Sequence, residues 1–236
     1  MTVYSAIQVL TSPDTRLPDP RNGPADGPIA IGGDLRPARL IEAYQNGIFP
    51  WFSDDAGPVM WWSPDPRAVL FLDEFKPSKS LRKVIRKGRF HVTFDQAFSD
   101  VVAACAEPRP NSAETWITPN MQRAYIALHE MELGHSVESW QEGDLVGGIY
   151  GISLGSMFFG ESMFARVSNA SKVALVGLID QLNRWHFSLL DCQIMNPNLR
   201  SLGAIDMPRS QFLSLLVENR RQATRTGRWE LSTEHA

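Results

Sequence analysis

The stretch LVGGIYGISLGSMFFGESMFARVSNASKVALVGLIDQLNRWHFSLLDCQ, residues 145–193, decides the architecture. Its first half breaks at Gly155, so Leu145–Leu154 and Ser156–Phe164 read as two antiparallel strands joined by a tight turn. One step upstream, Ser136–Gln141 reads as a third strand, connected through EGD. After a Ser168 cap, ASKVALVGLIDQLNR has helical spacing, and the apolar run Ser188–Gln193 returns as a strand.

Working outward, AVLFL (68–72) is a buried-type strand and Ser78–Lys87 a basic amphipathic helix with Leu81, Val84 and Ile85 as its apolar stripe. Phe90, Val92 and Phe94 alternate as a strand, and Asp95–Ala106 follows as a helix. A proline-containing loop at 107–114 leads to a helix over Pro119–Leu133, and a last helix starts at Pro208. From Arg67 the order is therefore β-α-β-α-α-β-β-β-α-β-α. That order resembles the acyltransferase fold of the acetyltransferase superfamily, in which the strand after the helix splays from its neighbour and the reaction occurs in the gap. Residues 1–66 are rich in Pro, Gly and Asp, with one short helix at Pro37–Asn46 and the tryptophans Trp51, Trp61 and Trp62. The expected fold is α+β: a small loop-rich N-terminal domain (1–66) and an acetyltransferase-like domain (67–236) on a central, mostly antiparallel sheet.

A chain of 236 residues can bury one large core or two modest ones. Its 43% hydrophobic and 21% charged residues exclude disorder and a disulfide-stapled miniprotein. No apolar run approaches the ~20 residues of a membrane helix, and the first residues lack a basic region followed by an apolar stretch. Cys105 and Cys192 lie far apart, which suggests free thiols in a reducing compartment. The expected location is the cytoplasm.

The net charge of −3 conceals an asymmetry. KPSKSLRKVIRKGR (76–89) holds seven of the 23 basic residues and no acid: Lys76, Lys79, Arg82, Lys83, Arg86, Lys87 and Arg89. A solvated helix face normally interleaves Glu or Asp, so this segment reads as phosphate-binding.

Chemistry points to DCQ at a strand end, where period-2 alternation places Asp191 and Gln193 on one face and Cys192 on the other. A carboxylate beside an amide can polarise it or accept a proton relayed from an amine. The alternative is an Asp that caps the 196–202 turn, and Cys192 reads as a small buried hydrophobe. Glu161 stands alone among aromatics, Met and Gly in FFGESMF, where a structural and a functional carboxylate are equally plausible. His129 and His135 lack a third ligand at metal spacing. The stretch ARVSNASK (165–172) carries none of the glycines that hold a coenzyme A pyrophosphate, and no P-loop, Gly-x-Ser-x-Gly elbow or Cys-x-x-Cys is present.

Ten motifs recur in order: IAIGGDL (29–35), GIFPWF (47–52), WWSPDPRAV (61–69), TWITP (115–119), GHSVESW (134–140), LVGGIYG (145–151), FFGESMF (158–164), SNASKVAL (168–175), LLDCQ (189–193) and LGA (202–204). Together they resemble the leucyl/phenylalanyl-tRNA–protein transferase family over Ile29–Leu216. The resemblance implies transfer of Leu or Phe, and less well Met, from leucyl-tRNA or phenylalanyl-tRNA to proteins with N-terminal Arg or Lys. The marked products would pass to an N-degron adaptor and protease, and the resemblance implies no metal or organic cofactor. It assigns the catalytic pair to Asp191 and Gln193. It assigns the lining for the aminoacyl end and terminal adenosine to Trp51, Trp116, Phe158, Gly160 and Glu161, and tRNA docking to the 76–89 segment. Readings from other classes are a non-catalytic tRNA-binding module and a small-molecule acyltransferase of the same superfamily.

Overall fold

A computed structural model describes residues 7–108 and 115–230. The N-terminal unit holds more sheet than its loop-rich sequence suggests. Strands β1 (Gln8–Leu10), β2 (Pro28–Gly32), β3 (Phe49–Pro50) and β4 (Met60–Trp62) form a four-stranded sheet in the order β1-β2-β4-β3. Each strand is too short to show an alternation in sequence. Helix α1 (Pro37–Gln45) lies between β2 and β3, with proline in its first turn and Gly47 just past its end. Gly47 takes φ +73, and a Cβ there would come within 2.8 Å of Leu213, so both conformation and space call for glycine.

The larger unit follows the expected order as far as β10 and then adds a short helix and an edge strand before the last helix. Strand β5 (Arg67–Phe71), α2 (Lys79–Arg86), β6 (His91–Phe94), α3 (Phe98–Ala106) and α4 (Pro119–Glu130) precede the meander β7 (Gly134–Gln141), β8 (Asp144–Leu154) and β9 (Met157–Ala165). Then come α5 (Ala170–Arg184), β10 (Leu189–Gln193), a short α6 (Pro197–Ser201), β11 (Ile205–Met207) and α7 (Arg209–Asn219). The sheet runs β11-β5-β10-β9-β8-β7-β6. β10 is parallel to β9, across the α5 crossover, and the other pairs are antiparallel. α5 covers one face through Leu175, Leu178 and Ile179, while α1, α3, α4 and α7 share the other through Tyr44, Val101, Tyr125 and Phe212. Among the described residues no helix is long and apolar enough to cross a membrane.

Three boundaries differ from the sequence reading for local reasons. Helix α3 begins at Phe98 rather than Asp95, because Asp95 adopts φ 53. Its carboxylate accepts the amides of Ser136 and Trp229 at 2.8 and 2.7 Å and meets His135 Nδ1 at 2.8 Å. Helix α5 has Asn169 at its N-cap, in the left-handed region, where Ser168 was expected. Residues 196–202 form α6, with Asn196 Oδ1 capping the Leu199 amide at 2.9 Å. Asp191 therefore plays no part in that cap. Most of the loop expected at 107–114 lies outside the described residues.

Candidate active site

Strands β9 and β10 pair only as far as Asp191 opposite Phe159. Beyond that point β9 continues through Gly160–Ala165 without β10, and the separation opens a cavity of about 520 Å³. The expected gap at the splayed strand is thus a deep cavity lined from both sides of the sheet. On the α5 side its wall is apolar: Leu70, Ile149, Leu175, Leu190, Leu202 and Ala204. On the other side stand Phe49, Pro50, Trp51 and Trp116, with Gly160, Glu161 and Gln193 at the sheet opening.

The strand end is bulged. A bulge between Asp191 and Gln193 puts Gln193 at φ 62, and its backbone N–H donates to Asp191 Oδ1 at 2.9 Å. Cys192 and Gln193 both line the cavity, while Asp191 is 0% exposed and behind the wall. Cys192 packs with Leu190 in the α5-side cluster, whereas Asp191 and Gln193 find their partners, Arg67 and Glu161, beside Phe212 and Tyr125 on the other side, so the expected division of DCQ between two faces holds although the bulge turns the backbone at Gln193. Asp191 binds Arg67 in a fork: Nε to Oδ1 at 2.8 Å and Nη2 to Oδ2 at 2.7 Å. Both partners are buried, which demands that charge and hydrogen-bonding groups be matched in place.

Glu161 is the hub on the cavity side. Its Oε1 accepts from Tyr44 at 2.6 Å and from Gln193 Nε2 at 2.8 Å, and its Oε2 accepts from Tyr125 at 2.6 Å. Burial pushes its carboxyl up to about 7, offset in part by the tyrosine hydroxyls and helped by the neighbouring Asp191 charge. Burial and the Glu161 charge hold both tyrosines well above their ordinary range, so they stay as donors. The carboxylate takes the NH2 end of the Gln193 amide, leaving Gln193 Oε1 as an acceptor with no partner among the described residues. Burial also pushes the Cys192 thiol up, so it is a neutral wall group.

Of the residues singled out in sequence, Trp51, Trp116, Gly160, Glu161 and Gln193 meet at this cavity. Trp51 is 38% exposed at its rim and packs edge-on against Trp62 at 5.1 Å. Phe158 is absent from the wall: it sits one layer back, buried, with its ring 5.7 Å from Trp229. Phe159 points to the opposite face of the strand, so only part of the FFGES run can face the gap. His129 stacks on Phe98 and His135 on Trp229, and among the described residues no group of three or more His, Cys, Asp and Glu could hold a metal. Tyr44, Tyr125 and Arg67 escape a sequence reading, because their partners lie 117, 36 and 124 residues away. The one available signal was an arginine opening the apolar run RAVLF.

The basic segment lies elsewhere. Ser78 caps α2 by accepting the Leu81 amide at 3.2 Å, as expected. Leu81 packs on Val173 and Val176 of α5, whose Leu175 lines the cavity, so α5 separates the basic surface from the gap. Ile85, expected in the stripe, is 37% exposed. Lys76, Lys79, Arg82, Lys83, Arg86, Lys87 and Arg89 are all exposed, and none forms an ion pair with a described residue.

Among solved structures, L-PGS from Bacillus licheniformis matches with TM-score 0.37 and 12% identity over 71% of this chain and 53% of that one, too distant to bear on the site. The leucyl/phenylalanyl-tRNA–protein transferase of Desulfatibacillum aliphaticivorans is 51% identical over 100% of this chain and 99% of its own. That of Nitrosospira multiformis is 54% identical over 86% of this chain and 88% of its own. The family profiles described as leucyl/phenylalanyl-tRNA protein transferase and its N-terminal domain match residues 69–217 and 33–65. With two successive profile matches and half of all positions shared end to end, the chain belongs to the leucyl/phenylalanyl-tRNA–protein transferase family.

Proposed function

We infer that this chain transfers a leucyl or phenylalanyl group from tRNA to the N-terminal amine of an acceptor protein, forming a peptide bond. Family membership supports the activity, and the sheet gap is the observation that carries the location. An apolar chamber on the α5 side suits a Leu or Phe side chain, and a rim of indoles suits a terminal adenine. Stacking of a base on such a ring is worth ~1–3 kcal/mol. Leu and Phe should be favoured strongly over charged side chains, but over Ile or Val by only ~1–3 kcal/mol. Met is accepted less well.

The reaction is aminolysis of an ester. The amine nitrogen attacks the carbonyl carbon, a C–N bond forms, the ester C–O bond breaks, and the amine's proton ends on the departing ribose oxygen. An α-amine with pKa of about 7.7–8 is neutral often enough near physiological pH that its orientation, more than its deprotonation, limits the step. Gln193 Oε1 is placed to accept an N–H of the incoming amine. Asp191 serves that amide from behind, by fixing the turn at Gln193. Acceptors begin with Arg or Lys and the products feed an N-degron adaptor and protease in the cytoplasm. The basic α2 surface docks the tRNA through its phosphates, and residues 1–66 act with 67–236 as two domains sharing the gap.

The reading is tested with leucyl-tRNA and short peptides, followed by mass analysis. Peptides beginning with Arg or Lys should each gain one leucine, and those beginning with Ala or Glu should not. An unmodified Arg peptide in the presence of bound tRNA would instead favour a binding module.

Glu161 gives a pH signature. As pH falls through about 7 its carboxyl takes up a proton, and one of its three donors loses its acceptor. The Gln193 amide is then free to flip its NH2 toward the amine. Two groups must lose protons for transfer, the amine and Glu161, so log rate should rise with pH at a limiting slope of about 2. Glu161→Gln should reduce that slope to about 1, because only the amine still titrates. Stability moves the other way. A carboxyl whose folded pKa is raised favours folding below its unfolded value and loses that contribution as pH rises through about 7. Glu161→Gln should therefore melt higher than wild type at alkaline pH, with the difference closing in acid. Unchanged slopes in the variant would remove Glu161 from this role.

A further inference from the structure

We propose that Arg67 is a positioning residue for the transfer: it locks the two walls of the gap together, holding Gln193 through Asp191 and the Gly47–Trp51 wall through the Gly47 carbonyl and the Phe49 ring. This rests on the reading of the gap as the transfer site. Arg67 opens β5 and is 1% exposed, so it meets no substrate. Each of its three guanidinium nitrogens donates a hydrogen bond. Nε and Nη2 grip Asp191, and Nη1 donates to the Gly47 carbonyl at 3.0 Å. Its Cζ lies 4.7 Å from the centres of both the Phe49 and Phe212 rings.

The contacts to Asp191, Gly47 and Phe49 lead to the cavity. Asp191 Oδ1 also accepts the Gln193 amide, which keeps that residue in a left-handed conformation that non-glycine residues seldom adopt. Gly47 and Phe49 lead directly into Pro50 and Trp51, which line the opposite wall with Phe49 itself. The two walls come from separate units, and the seven-stranded sheet does not include β3. A buried ion pair is a poor source of stability compared with apolar packing, so its presence between two walls fits a demand for exact geometry. A lysine would keep the charge and lose the planar fork that meets Asp191 and stacks near the two rings.

The test uses the full-length protein, leucyl-tRNA and an Arg-initiated peptide. Arg67→Lys should stay folded by circular dichroism and bind leucyl-tRNA with little change. Its single-turnover rate at saturating tRNA should fall by ~10²-fold, the cost of roughly 1 Å of misplacement. A loss confined to this rate, with KM for tRNA unmoved, is what a merely structural defect would not give. In Arg67→Ala, guanidinium should restore transfer and methylammonium should not, because only the former reproduces the fork. A wild-type saturated rate in Arg67→Lys, or equal effects of the two cations on Arg67→Ala, would overturn the assignment. Absence of transfer by the wild-type protein would instead overturn the reading of the site.

Discussion

Asp191→Asn is expected to lower the stability of the fold by about 3–5 kcal/mol, because it leaves a buried guanidinium without its counter-charge. Asp191 is 0% and Arg67 1% exposed, so water cannot replace the lost partner. On a fold of ordinary marginal stability that is a large fraction of the total. A fall in activity of this variant therefore says little about catalysis unless folding is measured beside it. The double change Asp191→Leu with Arg67→Met separates the two effects. Removing both charges and filling the space should recover most of the stability, as buried pairs exchanged for apolar groups commonly do. Transfer should stay depressed by ~10²-fold, since the turn that presents Gln193 has lost its acceptor and the Gly47 wall its tie. Urea unfolding and single-turnover transfer on the three proteins decide it. A double variant that is stable and fully active would show that Gln193 needs no support from behind.

Neutralising Lys83 and Arg86 together should weaken binding of any tRNA, whatever its sequence, since phosphate contacts carry charge rather than base identity. Both side chains are exposed and neither has an ion-pair partner among the described residues, so the fold should be unaffected. Each lost phosphate contact flattens log affinity against log salt by roughly 0.7–0.9, so the pair should remove roughly 1.4–1.8. The rate at saturating tRNA should hold, because α5 stands between this surface and the gap. Filter binding at several salt concentrations checks the slope. A variant that kept its slope and lost turnover would show that α2 is no docking surface.

The sheet and its crossover are legible in sequence because β8, β9 and α5 are long enough for period and turn chemistry to show. The ladder of β1 to β4 is not, because segments of two to five residues carry no period. The start of α3 is misread because Asp95 looks like a cap and is in fact held by Ser136 and Trp229. At the site, DCQ and the isolated Glu161 stand out by residue type alone. Alternation divides Asp191 and Gln193 from Cys192, but the bulge between them depends on a side-chain to backbone hydrogen bond that pattern counting leaves out. Phe158 and Trp229 show the reverse limit: aromatics announce burial but not which side of a wall they occupy. Glu161's tyrosines and Asp191's arginine come from other elements, and only the folded chain brings them into range.

The central claim, that the aminoacyl end sits in the gap between β9 and β10, is tested most directly by charging tRNA with diazirine-bearing leucine and mapping where light attaches it. The account predicts labels on the cavity wall, among Leu175, Leu190, Cys192 and Leu202, displaced by excess leucyl-tRNA. Displaceable labels instead at the β6 edge of the sheet, at His91 or Gln96, would place the reaction elsewhere and contradict it.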